Sequence, residues 1–362
     1  MTEVNASHGA VTDGETRDAV ADGAVREEEE TTRSRGSVAR FLGSPSVRLI
    51  ARRLLMAVPI VIGVSILTFW VLSLIPGSAA QQLLGPEATP QDVAALERRF
   101  GLDRPAVLRY LDWLGGALTG DLGTSFVSSQ PVTAELWPRL GVTGELVGLA
   151  FLISLGFAVP VALLAARRPN RFVDRVSMLV SMAGLSVANY VLGLLLVLVF
   201  AVNLAIFPAI GFIPLSESVG DNLHSLLLPA TAIAFPLFCF YTRFLRGDLV
   251  DQLHGEDYIT MARAKGIGPW RILLRHALRN SAFGLITVVG LNLGTLIGAT
   301  VIIEQIFALP GLGQFLLQAI NTRDYITVQA CVVVFAVITV LANLAADLLY
   351  AVLDPRIRYG NR

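Results

Sequence analysis

Gly255–Asn280 reads GEDYITMARAKGIGPWRILLRHALRN, a long polar stretch between two apolar segments that are each long enough to cross a bilayer. Its first part has a helical pattern in which Tyr258, Ala262 and either Lys265 or Gly266 share one face. Ala262, Ala264 and Gly266 are small, so a partner could approach the backbone closely. Gly266-Ile267-Gly268-Pro269 ends the helix and turns the chain. Arg271, Arg275 and Arg279 then recur every fourth residue, as headgroup-facing anchors do at the mouth of a span. The stretch reads as a docking surface for another protein, carried by a membrane chain.

The rest of the 362 residues agrees. Hydrophobic residues make up 54% and charged residues 15%, and the mean hydropathy is +0.64. This is too apolar for a soluble domain. A span needs about 20 apolar residues, and six runs qualify or nearly do: Leu54–Leu74, Val147–Ala166, Val176–Phe200, Leu226–Tyr241, Phe283–Ile303 and Val328–Tyr350. The fourth is short and holds Pro229 and Pro236, which are expected to kink it or unwind an end. The fifth carries Gly290, Gly294 and Gly298, a stripe that permits close helix contact. The expected class is an all-α polytopic membrane protein with about six transmembrane helices.

Net charge is zero, so orientation is read from where the arginines cluster. They precede the first run (Arg33, Arg35, Arg40, Arg48, Arg52, Arg53), follow the second (Arg167, Arg168, Arg171, Arg175), fill the stretch from Arg243 to Arg279, and end the chain (Arg356, Arg358, Arg362). Fewer lie on the other side, at Arg98, Arg99, Arg104, Arg109, Arg139 and Arg323. The positive-inside rule then places both termini in the cytoplasm. Residues 1–34, with the acidic run Glu27–Glu30, are expected to be a disordered cytoplasmic tail and not a signal peptide. Residues 35–53 form a basic juxtamembrane segment, 54–354 the transmembrane domain with its polar loop at 247–279, and 355–362 a cytoplasmic tail.

Residues 76–138 are expected to form a small extracytoplasmic helical cap. Thr89-Pro90-Gln91-Asp92 starts a helix and Gly101 stops it. A second helix follows Asp103-Arg104-Pro105, with Leu108, Leu111, Leu114 and Leu118 at helical spacing beside Tyr110 and Trp113. This stripe suits packing on the membrane domain or the lipid interface. Two further loops, Phe207–Leu223 and Glu304–Thr327, are shaped by Gly and Pro.

Several chemistries are excluded. Lys265 is the only lysine and is not followed by Ser or Thr, so no phosphate-binding loop exists. The histidines His8, His224, His254 and His276 have no zinc-ligand spacing, and a nucleophile elbow is absent. No bound cofactor or metal and no nucleic-acid partner is expected. Cys239 and Cys331 lie in apolar runs and read as packing residues. The deep polar residues are mainly Asn189, Asn292 and Asn343. Asn189 and Asn292 are the candidates for a polar pathway, with interhelical hydrogen bonds as the plainer alternative.

DYITMARAKG (Asp257–Gly266), LLRHALRN (Leu273–Asn280), GDLGTSF (Gly120–Phe126), EQIFALPGLG (Glu304–Gly313) and LLYAVLDPRIR (Leu348–Arg358) together resemble the permease subunits of binding-protein-dependent ABC importers. Within that group the chain is similar to the first permease of the dipeptide/oligopeptide/nickel branch. It departs in having Thr260-Met261-Ala262 where the broader superfamily has Glu-Ala-Ala, which suits the peptide branch. The tail before Arg33 exceeds the usual start.

The resemblance implies a type I importer fold in the bacterial cytoplasmic membrane. One copy would pair with a homologous second permease above two ATPase domains that use ATP and Mg, and a substrate-binding protein or lipoprotein would deliver peptide. Asp257, Tyr258, Ala262, Arg263, Ala264, Lys265, Gly266 and Ile267 would meet an ATPase. Phe307, Leu309, Pro310 and Gly311 would meet the binding protein. Nickel chelates, glutathione or another small solute are alternative cargoes, and a non-transport scaffold or signalling protein is the alternative class.

Overall fold

The computed structural model describes residues 45–74, 79–85 and 87–353. The acidic tail, part of the basic segment and the C-terminal tail lie outside them. Met56–Ile357 form one compact unit; of the other, Met1–Leu55 with Arg358–Arg362, only the first turns of one helix are described.

Among the described residues the structure is helical, apart from one isolated bridge between Thr124 and Pro131. The helices are α1 (Pro45–Leu74), α2 (Ala79–Leu84), α3 (Pro90–Arg99), α4 (Ala106–Leu118), α5 (Val132–Arg167), α6 (Phe172–Ser186), α7 (Asn189–Leu196), α8 (Val219–Gly255), α9 (Asp257–Ala264), α10 (Leu278–Ile306), α11 (Leu312–Asn321) and α12 (Tyr325–Leu353). Wide π turns extend α7 over Val197–Asn203 and lead into α10 over Ile272–Ala277. Five helical segments are long and apolar enough to cross a membrane: Leu55–Leu74, Val132–Arg167, Val219–Gly255, Pro269–Ile306 and Tyr325–Leu348.

The third apolar run departs from expectation. It is two helices, α6 and α7 with its extension, bent by 102°. Val187 and Ala188 are extended (ψ 125° and 140°), which breaks the hydrogen-bond ladder between them. Both halves are apolar, so hydropathy alone does not reveal the break. The pair still joins opposite ends of the bundle. Asp174 at the start of α6 binds Arg246 of α8, whereas Ile206 and Ile213, beyond α7, offer their carbonyls to His224 and Asn222 at the other end of α8. The α8 segment between these attachments rises about 1.5 Å per residue, about 36 Å over its length, which is a membrane thickness. Counted as one span, the bent pair brings the candidate crossings to six.

In the fourth run Pro229 and Pro236 lie inside a continuous helix of 37 residues, so neither unwinds an end. Within the stretch 76–138, α5 already begins at Val132. There α3 matches expectation in detail: Thr89 and Asp92 form a reciprocal capping box, and Gly101 adopts φ +65° just past the end. In α4 the leucine stripe divides. Leu108, Leu111 and Leu118 are exposed, while Tyr110 and Trp113 turn inward, Tyr110 to Ser65 (2.8 Å) and Trp113 to the Leu122 carbonyl (3.2 Å).

Three apolar clusters hold the bundle. Leu146, Leu226, Ile233, Ile303 and Phe307 lie in one at the cap end. Tyr241, Leu245, Leu249, Ile259, Ile272 and Leu273 lie in a second at the α9 end. Val132, Leu312, Phe315 and Cys331 lie in a third. Two residues of the glycine stripe act as expected: a Cβ on Gly294 would lie 2.8 Å from Thr339 Cγ2, and one on Gly290 would overlap Ala346. Gly298 faces open space.

The sequence reading missed the pin between α6 and α8. Asp174, only 3% exposed, receives Arg246 Nε at 2.8 Å and Nη2 at 2.6 Å, and the Asn170 amide at 2.7 Å. Arg246→Ala strands that carboxylate. The expected cost is roughly 2–3 kcal/mol, less than for a fully enclosed pair because the arginine keeps some exposure. A thermal unfolding scan of the purified permease should show the midpoint falling, and an unchanged midpoint would mean the pin carries no load.

Candidate functional site

At one end of the bundle the polar stretch folds into α9, mounted on the second cluster. Ile259 (0% exposed) and Ala262 (6%) are its buried face, packed with Leu245, Leu249, Ile272 and Leu273. Asp257 lies in the first turn, where its charge suits the helix dipole. Gly266 closes the helix at φ +73°, with its N–H donating to Arg263 O (2.9 Å) and the Ile267 N–H to Ala262 O (3.2 Å).

Around this mount the side chains lock to their neighbours. The Tyr258 hydroxyl donates to Gln252 Oε1 (2.7 Å), which also accepts from Asn280 Nδ2 (2.8 Å). Burial, together with nearby Glu256, pushes the Tyr258 hydroxyl above its usual pKa and keeps it a donor. Arg263 donates to the Leu253 carbonyl (2.9 Å), and Arg167 lies 4.6 Å over the Trp270 ring. Asp257, Tyr258, Met261, Arg263, Ala264, Lys265 and Gly266 remain exposed and Ile267 is half-buried. Met261 stands out at 64% exposure. The sequence reading placed Ala262 on the presented face; the structure turns it inward, where it holds the helix in place.

At the opposite end, the turn after α10 is organised around a residue that sequence reasoning did not single out. Glu304 is fully buried. Its carboxylate accepts from Thr143 Oγ1 (2.7 Å), the Gly313 amide (2.7 Å) and the Gln314 amide (3.0 Å), thereby capping α11. Thr143 Oγ1 accepts the Leu312 amide in turn (2.9 Å). Gly311 and Gly313 are small for this reason: a Cβ on Gly311 would collide with the carboxylate, and one on Gly313 would lie 2.5 Å from Val301 Cα. Of the four residues expected to meet an outside partner, Phe307, Leu309 and Gly311 are buried and only Pro310 is exposed.

Asp324 ties the GDLGTSF loop to α12. It accepts from Ser125 Oγ (2.5 Å), Thr327 Oγ1 (2.7 Å) and the Phe126 amide (3.2 Å). The pathway candidates are not brought together by any hydrogen bond: Asn189 accepts from the adjoining Tyr190 amide, and Asn292 donates to Val288 O of its own helix. Cys239 and Cys331 are buried and free. Among the described residues no group of three or more His, Cys, Asp or Glu is arranged to hold a metal.

Residues 46–147 match the N-terminal region of binding-protein-dependent transport system membrane components, and residues 158–359 match the inner membrane component itself. Similar proteins include the oligopeptide transport system permease protein AppB of Bacillus subtilis, 38% identical over 86% of this chain and 99% of the relative. The dipeptide transport system permease protein DppB of Alkalihalophilus pseudofirmus is 36% identical over 85% and 98%. The glutathione transport system permease protein GsiC of Salmonella typhi is 35% identical over 86% and 98%. The two family matches together cover most of this polytopic helical chain, and the relatives align over almost their full length, so the chain belongs to the family of binding-protein-dependent transport system inner membrane components.

Proposed function

We propose that this chain is one permease half of an ATP-driven importer for dipeptides and oligopeptides, working by alternating access between the two sides of the bacterial cytoplasmic membrane. The observation that carries the reading is α9: a short helix clamped on one face by the core and bare on the other, as a lever that transmits force must be. ATP and Mg act in partner ATPases, because this chain has no phosphate-binding loop. A second permease completes the pathway, and a binding protein or lipoprotein presents cargo near Pro310. Peptide is favoured as cargo by the names of the oligopeptide and dipeptide relatives. Glutathione, itself a small peptide, is the second reading, supported by the 35% identical relatives.

The test is uptake of labelled di-, tri- and pentapeptides and glutathione by cells with and without this gene. Peptide uptake should vanish on deletion and return with the gene. Unchanged peptide uptake together with lost glutathione uptake would reverse the assignment of cargo.

We take both ends of the spanning region to lie on the side where the arginines cluster, and that side to be cytoplasmic. In intact cells, an impermeant thiol reagent should therefore label a cysteine placed at Gln91 on the cap and leave one at Met261 unlabelled until the membrane is opened. Labelling in the reverse order would invert the orientation.

A further inference from the structure

A cavity of about 470 Å³ lies between the end of α1, the cap helices and the start of α12. Phe69, Phe100, Trp113 and Phe126 supply aromatic walls, and Arg109 and Gln329 also line it. Gln329 is 2% exposed; its Nε2 donates to Ser65 O (2.9 Å), but its Oε1 has no partner. Arg109 rests 5.8 Å over the Phe69 ring and reaches Leu102 O at 3.4 Å, while its buried Nε is also without a partner. Arg104 and Asp112 satisfy each other at the rim (2.6 Å), and Glu97 faces the same space. Buried polar atoms left unmatched are unfavourable. A guest that offers an anionic acceptor to Arg109 and a donor to Gln329 would satisfy both.

The level of the cavity identifies the guest. Phe69, Leu72 and Ser73 belong to the last turns of the first span, so the cavity sits where that span leaves hydrocarbon. Leu67, Val71 and Leu74 of the same helix are exposed and can line acyl chains, and the exposed leucines of α4 suit a helix lying in the interface. We infer that the cavity holds the head of a membrane phospholipid that carries an N–H or O–H donor, its phosphate against Arg109 and its donor against Gln329 Oε1 and Glu97. Phosphatidylethanolamine fits; phosphatidylcholine, with no donor, does not. This rests on the membrane fold and not on any cargo or ATPase partner.

The assembled complex, purified in mild detergent, should retain phosphatidylethanolamine in native mass spectra in preference to phosphatidylcholine. Gln329→Leu and Arg109→Gln should each weaken retention about tenfold, the effect of losing one buried or charge-assisted hydrogen bond. Ser73→Trp, which fills the cavity, should abolish it. If these variants accumulate poorly, a chain with Trp113 as its only tryptophan decides the matter: brominated phosphatidylethanolamine should quench its emission more strongly than brominated phosphatidylcholine. Equal quenching or equal retention of the two lipids would overturn the inference. So would displacement of the lipid by millimolar inorganic phosphate, which would mark a soluble-anion site.

Discussion

Met261→Glu is expected to lower ATP-driven uptake at least tenfold while the permease inserts, folds and accumulates as the parent chain does. Met261 is the most exposed large apolar side chain on α9, at 64%, and takes no part in the cluster that mounts the helix. Its removal therefore leaves the fold intact. At a closed contact with an ATPase the new carboxylate would lose water without gaining a partner, and about 1.4 kcal/mol of lost docking already corresponds to a tenfold change. Ala262→Trp serves as the contrast. It overfills the chain's own core against Leu249 and Ile272, so its defect should appear as lost permease stability, by about 1–3 kcal/mol. At Gly266 a Cβ meets nothing within 4 Å, yet φ is +73°, so Gly266→Ala strains the helix end while a bulkier group probes the partner. Wild-type uptake and ATPase association in Met261→Glu would remove α9 as the coupling element.

Glu304→Leu should be the most damaging substitution at the cap end. It leaves the Gly313 and Gln314 amides and the Thr143 hydroxyl without their acceptor inside the protein. Buried donors without partners cost about 1–3 kcal/mol each, so a loss of roughly 3–9 kcal/mol is expected for the three, a large fraction of the stability of most domains. The permease should reach the membrane at much reduced level or unfold at markedly lower temperature. Glu304→Gln keeps a side-chain oxygen and should lose less. Gly311→Ala should resemble Glu304→Leu, because the added methyl occupies the space of the carboxylate. A thermal midpoint for Glu304→Leu equal to the parent's would show that α11 does not depend on this cap.

The helical class, the apolar runs, the cap helices and the end of α9 were legible in the sequence because each depends on near neighbours. Thr89 and Asp92 are three residues apart, and Gly266 closes a turn formed with Ala262 and Arg263. Hydropathy likewise sums over a local window. It cannot register a backbone break flanked by apolar residues on both sides, and so the bend at Val187 and Ala188 belongs to the tertiary structure alone. The same is true of which face a residue presents. Ala262 looks like an open docking residue until Leu249 and Ile272 close over it, and Leu309 looks like part of a protruding turn until the bundle buries it. Glu304 stands beside a glycine-rich turn in the sequence, but its role requires Thr143, from a helix well over a hundred residues earlier. Local patterns specify which elements form, whereas burial and charge satisfaction are properties of groups that only the folded chain brings together.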